Sequence, residues 1–409
     1  MRKFLIVLGL LTLGLVIQGV GVAQADNQLP AWWKDLTPEQ QQWAQAAQLG
    51  PYAPQNINWA DIEQKAVEEG TVVVYSQSSR IKKAAAYFEE KYPNIKVQYF
   101  DLYISDLIAR WQKELSAGIH TVDVIFADDE AKMINEFLVP PNKMIWNFVT
   151  PTVRDTWVDP SYYDPLLVIR VSFQAIFYNP ATYDAPPIDN LWDLTKPEWS
   201  RKVLIMDPVV DPFALNFIAT IVQHSDDLAA AYEQEFGRSL TLESGIPNAG
   251  YQWLSDFIAN HPVVVASDDA VAEGVGAEGS DKIGLAAFYS KYRWTLQGRV
   301  NIKPIHNIAP FAGTQTFTFL GISDQAPHPN AAKLFIREMI GTDDDPIGAF
   351  YPWHVPGDFK PRAGLPAPEG MPDNATFEQL IGHFAPNDAI FIYNEGLKIR
   401  DFWLMNYQG

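Results

Sequence analysis

Residues 70–130 read GTVVVYSQSSRIKKAAAYFEEKYPNIKVQYFDLYISDLIARWQKELSAGIHTVDVIFADDE, and they predict strand, helix, strand, helix, strand. Val72–Tyr75 is a short β-branched run. In the helix over 81–92, Ile81, Ala85, Phe88 and Tyr92 share one stripe, and Pro93 ends it. Ile95–Phe100 is the next strand. Ser105 is the expected N-cap of a helix running to Ala117, with Leu107, Ile108, Trp111 and Leu115 on its buried face and Gly118 closing it. Val122–Phe126 is apolar apart from Asp123, as suits a strand covered on both faces. The first and third strands run into Ser76-Gln77-Ser78-Ser79 and Asp128-Asp129-Glu130. Open α/β sheets place ligands at such carboxyl ends.

A second series of strands and helices follows. Its strands are Phe173–Tyr178, Val203–Met206, Val263–Ala266 and Ile283–Phe288, and polar residues again stand at their ends: Asp207, Ser267-Asp268-Asp269 and Tyr289. Asp211-Pro212 reads as an N-cap with proline at N1 for the helix over 213–223. Strand Phe317–Ile322 and the helix over 331–340 come later, then a proline- and aromatic-rich tail with a last helix over 394–405. The expected architecture is α/β, with two lobes facing across a cleft and Phe173–Tyr178 and Ile302–Ile308 as crossover strands. Lobe 1 is then 61–172 with 309–409, and lobe 2 is 173–308.

The beginning of the chain reads as a secretory signal. Arg2 and Lys3 precede an apolar run over 4–17, and Ala23-Gln24-Ala25 supplies the small-x-small cleavage pattern, so residues 1–25 are expected to be removed. No later stretch approaches the ~20 apolar residues that span a bilayer, so no stable membrane insertion is expected after cleavage. Residues 26–60 form a lead-in whose Trp32, Trp33 and Trp43 argue for packing on the body.

There is no cysteine, which excludes disulfides, a thiolate zinc site, a cysteine nucleophile and a lipid-modified cysteine. The hydrophobic content of 47% over 409 residues supplies the core instead. The formal charge is −19, and loss of Arg2 and Lys3 takes it to about −21, which argues against nucleic acid as a partner.

These residues resemble a known family. GTVVVYSQSS, FEEKYPNIKV, KELSAG and VDVIFADD, followed by IFYNP, LWDLTKPEWSRKVLIMDP and HPNAAKLFIREMIG, are similar in order to the periplasmic solute-binding proteins of bacterial ABC transporters. The subgroup resembled is the one that holds ferric-iron, thiamine, polyamine and sugar-phosphate binders. The resemblance implies a two-lobed type II periplasmic-binding fold with two hinge strands, a periplasmic location, capture of a small solute by hinge closure, and delivery to an inner-membrane permease. Iron binders of this family carry adjacent tyrosines near the end of the strand equivalent to Ile283–Phe288. Here Tyr292-Arg293 falls over that pair, which disfavours iron and favours a carboxylate or phosphate.

The candidate ligand residues are Ser76, Gln77, Ser78, Ser79, Asp128, Asp129, Gln174, Asp207, Ser267, Asp268, Tyr289, Arg293 and Thr314. Each serine or aspartate at a helix start equally suits a plain cap. The expected ligand is a small polar organic solute, with an anion preferred. A cationic amine read from the aspartates, and ferric iron, are the alternatives in the same fold. A secreted two-domain hydrolase is the alternative of another class, but no GxSxG, HExxH or P-loop is present. Gly274-Val275-Gly276-Ala277-Glu278-Gly279 fits GxGxxG, but it follows a helix and precedes a strand, the reverse of a dinucleotide site. No cofactor or metal is expected.

Overall fold

The computed structural model describes residues 29–408; the expected signal segment lies outside them. The strands in chain order are β1 Thr71–Ser76, β2 Lys96–Asp101, β3 Val124–Ala127, β4 Ile145–Trp146, β5 Val168–Tyr178, β6 Val203–Met206, β7 Val263–Val265, β8 Ile283–Phe288, β9 Lys303–Pro304, β10 Gly313–Ser323, β11 Asp358–Phe359 and β12 Phe384–Pro386. They form one sheet in the order β2-β1-β3-β10-β5-β8-β6-β7, with the four short strands attached to β5 and β10. β1 pairs in parallel with β2 and β3, and β6 with β7 and β8. Between these two parallel halves, β5 and β10 run antiparallel from Gly313↔Ala175 to Phe319↔Val168. Central β1 and β3 are covered on both faces and almost wholly buried, whereas edge strand β2 is mostly exposed.

Local chemistry explains the helix boundaries. Asn58 Oδ1 accepts the Asp61 N–H at 3.3 Å to open the helix Trp59–Glu69, and Gly70 ends it at φ 69°. Asp211 Oδ1 accepts the Ala214 N–H at 2.8 Å above Pro212, as its spacing predicts. Ser105 does not cap its helix. The helix Ile104–Ser116 has Tyr103 at the N-cap with no side-chain bond, because half-buried Leu102 and Ile104 pack the chain onto the core one residue early. The glycines of the GxGxxG run begin inside the helix Asp268–Gly276 rather than in a loop.

The second long crossover also differs from the expectation. Within 302–308 Lys303–Pro304 pairs with Phe177 and Tyr178 of β5 and the Ile305 N–H adds a bond to Ile176 O at 2.9 Å, so the contact with β5 is short. Ile305 and Ile308 instead enter the second of two buried clusters, around Phe217, Trp253 and Leu285, and the long partner of β5 is β10. The segment 309–409 divides likewise. Phe350 and Trp353 join the first cluster, while Ile399 and Trp403 of the terminal helix Ala389–Asn406 join the second. That helix packs against both the helix Glu130–Asn135 and the helix Pro212–Gln223.

The lead-in is part of the core. Trp146 is 1% exposed, and the rings of Trp32, Trp33 and Trp43 lie 6.0–6.2 Å from it. Trp33 is itself buried and Trp43 Nε1 donates to Ala326 O at 3.0 Å, so the lead-in is held to the body by packing and by hydrogen bonding.

Candidate functional site

A cavity of about 280 Å³ opens where the carboxyl ends of the two parallel halves meet across β5. Gln77, Ser78, Arg80 and Asp128 line it from one half, and Phe213, Asp268, Phe288, Ser290 and Lys291 from the other. Arg170 and Ser172 form its floor on β5, and Asp358 enters from the tail.

The loop after β1 is built by its own side chains. Ser76 Oγ is wholly buried and accepts the Ser78 N–H at 3.0 Å, closing a tight turn. Gln77 Oε1 accepts the Asp128 N–H at 2.8 Å, which ties the ends of β1 and β3 together. Trp353 Nε1 donates to Ser78 Oγ at 3.1 Å, so the tail fixes the loop from behind.

Charge dominates the floor. Arg170 donates to both carboxylate oxygens of Asp128, at 3.0 and 3.3 Å, and to Thr318 Oγ1 at 2.7 Å. Asp358 is 3% exposed; it accepts from Arg80 at 3.0 Å and from Ser172 Oγ at 2.7 Å, and Arg170 Nη1 lies 3.9 Å away. On the facing side Lys291 pairs with Asp268 at 3.2 Å and with Asp269. Burial pushes the Asp128 and Asp268 carboxyls up, while Arg170 and Lys291 respectively oppose the shift. Arg293 lies just beyond the lining and donates Nε–H to Ser290 O at 3.0 Å. Burial and then repulsion from Arg80 lower its pKa, with Asp358 opposing. Arg80, which pairs with Asp358, is thus close enough to Arg293 for the two guanidinium groups to repel. A guanidinium pair short of counter-charge is suited to an incoming carboxylate or phosphate.

No protein-family profile matches the sequence, and no curated protein matches it. Solved structures do. Iron-bound HitA from Pseudomonas aeruginosa aligns at 15% identity and TM-score 0.59, covering 81% of this chain and 98% of its own. Apo ferric ion-binding protein A from Pasteurella haemolytica aligns at 14% and 0.62, covering 82% and 98%. AfuA from Actinobacillus pleuropneumoniae, with fructose-6-phosphate bound, aligns at 14% and 0.57, covering 83% and 99%. This chain has the type II periplasmic-binding fold.

In this fold the residues singled out in the sequence separate into two groups. Gln77, Ser78, Asp128 and Asp268 line the cavity, and Arg293 stands behind its rim. The others do not line it. Ser76 is spent on the turn, Ser79 points to solvent, and Asp129 Oδ1 accepts the Lys132 N–H as a cap. Ser267 caps the helix Asp268–Gly276, and Asp207 accepts the Val209 N–H in a turn. Gln174 and Thr314 are wholly buried. Gln174 donates to Ala286 O at 2.9 Å and accepts from Thr314 Oγ1 at 3.2 Å; Ala286 has φ 63°, so the amide holds a strained residue of β8 in place. Tyr289 is buried with its phenol 2.8 Å from His306 Nε2, and burial raises its pKa.

Ser172 lies inside β5 and Phe213 in the helix after β6, and neither they nor Phe288, Ser290 and Lys291, at the end of β8, carried a sequence signal of their own. Arg80 follows the serine loop directly. Arg170 has the clearest signal, the one charged residue in a long strand that is mostly apolar. Asp358 had none, since it arrives through a turn of the tail where Gly357 (φ 82°) leaves no room for a Cβ against Tyr289.

Proposed function

We propose that this protein is a periplasmic solute-binding protein of ABC-type import, and that its solute is a small organic anion carrying a carboxylate or phosphate. The observation that carries the reading is the Arg80–Arg293 pair beside a cavity whose three carboxylates are already engaged by Arg80, Arg170 and Lys291. An amine would find Asp128, Asp268 and Asp358 occupied and would have to displace a cation to reach one. Ferric iron calls for hard anionic oxygen donors; among the described residues no tyrosine lines the cavity, and its three carboxylates are already paired with cations. HitA and the Pasteurella protein are iron proteins by name, whereas AfuA is described with a sugar phosphate, the chemistry closer to this lining. A hydrolase reading draws little support, because no histidine stands beside Ser78, Ser172 or Ser290 in the lining to act as base.

In use, the solute would dock on the arginine side and Lys291 would approach from the facing half as β5 and β10 bend. Among the described residues no helix is long and apolar enough to cross a membrane, and delivery would fall to a separate permease.

The test is thermal-shift screening with sugar phosphates, dicarboxylates and polyamines, followed by calorimetry. Stabilisation by an anion that is lost in Arg293→Met supports the reading. Stabilisation by amines alone, or an anion response unchanged in both Arg80→Met and Arg293→Met, overturns it.

A further inference from the structure

A second and larger cavity, of about 980 Å³, lies on the opposite face of the crossover strands. Side chains alternate along β10, so Thr316 and Thr318 stand on the side of Ser172 and Arg170, while Gln315, Phe317 and Phe319 face the other way. Tyr162 and Val168 wall the rear cavity from the first half and Phe311 from the second; the start of the terminal helix closes it. Its walls are largely aromatic and aliphatic.

Two amide side chains in it have unpaired buried atoms, Gln223 Oε1 and Asn387 Nδ2, and Asn387 is 5% exposed. Gln223 is oriented by its other end, where Nε2 donates to Asp388 at 2.9 Å, so its free atom is an acceptor. Thr220 has one hydroxyl proton but two acceptors at 2.9 Å, Asn216 O and Asn387 Oδ1. If Thr220 spends that proton on Asn216 O, one helical turn back, and accepts from Asn387 Nδ2, the Asn387 carbonyl becomes the unpaired atom. Both orphans are then oxygens. Asp159, Asp164, Asp227 and Asp388 also line the cavity, and no lysine or arginine does.

We infer that this rear cavity is a second ligand site, separate from the cleft, for an apolar organic amine: an aryl or alkyl body among Tyr162, Phe311 and Phe317, and an ammonium donating to Gln223 Oε1 and Asn387 Oδ1. The site does not depend on the anion reading of the cleft. Buried acceptors left unpaired cost free energy, and an ammonium ion supplies the donors that the protein lacks.

The experiment is calorimetric titration of the full protein with 4-phenylbutylamine, 4-phenylbutanol and 4-phenylbutyrate. The amine is expected to bind at least about tenfold more tightly than the alcohol, with the carboxylate weakest, since a charged hydrogen bond to a buried acceptor is at stake. Gln223→Leu is expected to erase that preference. Gly382→Trp, at a position where a Cβ meets nothing within 4 Å, is expected to abolish binding by filling the space without disturbing the fold. Lys291→Met, in the cleft, is expected to leave the affinity for the amine unchanged. Equal binding of all three probes, no binding of the amine, or an amine affinity unmoved by both rear-cavity substitutions overturns the inference. Tighter amine binding in Lys291→Met would do so too, because freeing Asp268 and Asp269 of their cation would favour an amine held in the cleft.

Discussion

Arg170→Met tests how the cleft floor is held together. Arg170 and Asp128 have side chains 13% and 4% exposed, and the guanidinium spans both carboxylate oxygens. Removing one partner of a buried pair costs about 3–5 kcal/mol, because the remaining charge keeps its desolvation penalty and loses its compensation. That is a large part of the ~5–15 kcal/mol by which a domain is stable. The penalty should depend on pH, and its sign follows from the carboxyl. Burial already raises the Asp128 pKa in the folded protein, and Arg170 opposes that shift. Without Arg170 the folded value rises further above the unfolded one, so the folded variant takes up a proton that the unfolded chain does not. The loss is then greatest at alkaline pH and shrinks as pH falls through the folded value, by at most about 1.4 kcal/mol per unit for one proton. Urea unfolding at pH 8 and pH 5.5, followed by the fluorescence of buried Trp111 and Trp253, reads this directly. Arg170→Met combined with Asp128→Asn should recover most of the loss at pH 8. A penalty under about 1 kcal/mol at pH 8, a penalty equal at both pH values, or a double variant no better than the single one would refute the reasoning.

Asp123 is wholly buried and accepts N–H bonds from Val73 at 2.7 Å and His328 at 2.8 Å; Asp123→Ala orphans both donors and should cost about 1–3 kcal/mol for each, measured by urea unfolding. The Asp123 hydrogen bond raises the His328 pKa. Its contribution is therefore complete below the ordinary histidine value of roughly 6.5 and fades as pH rises through the folded value. His328→Leu should flatten the melting temperature against pH between those two values, and an unchanged slope would show that the ion pair contributes nothing. Gly313→Ala would set a Cβ 2.0 Å from Gln174 O, where β5 and β10 pair, so a loss of about 1–3 kcal/mol or more is expected in the same assay.

Much of the fold was legible because it is encoded locally. The β-branched runs at Val72–Tyr75 and Val203–Met206, the Asn58 and Asp211 caps, and the stops at Gly70 and Gly118 act over three or four residues, so spacing alone reveals them. The second crossover was misplaced because 302–308 and 313–323 both set β-branched or aromatic residues between polar ones, a pattern that suits a strand in either place. Which of them lies beside β5 depends on packing against residues more than a hundred positions away. The site shows the same division. Sequence placed Gln77, Ser78, Asp128 and Asp268 at strand ends facing a cleft, since strand polarity determines where carboxyl ends lie. It did not distinguish them from Ser76, Asp129, Asp207 and Ser267, because a polar side chain at a helix start serves a cap or a ligand with the same atoms. Only the tertiary structure, by bringing Asp358 from the tail to Arg80 and Arg170, and Arg293 within electrostatic reach of them, decided where charge is balanced and where it is left over. Those groups are nearly three hundred residues apart along the chain, and electrostatic balance depends on distance in space.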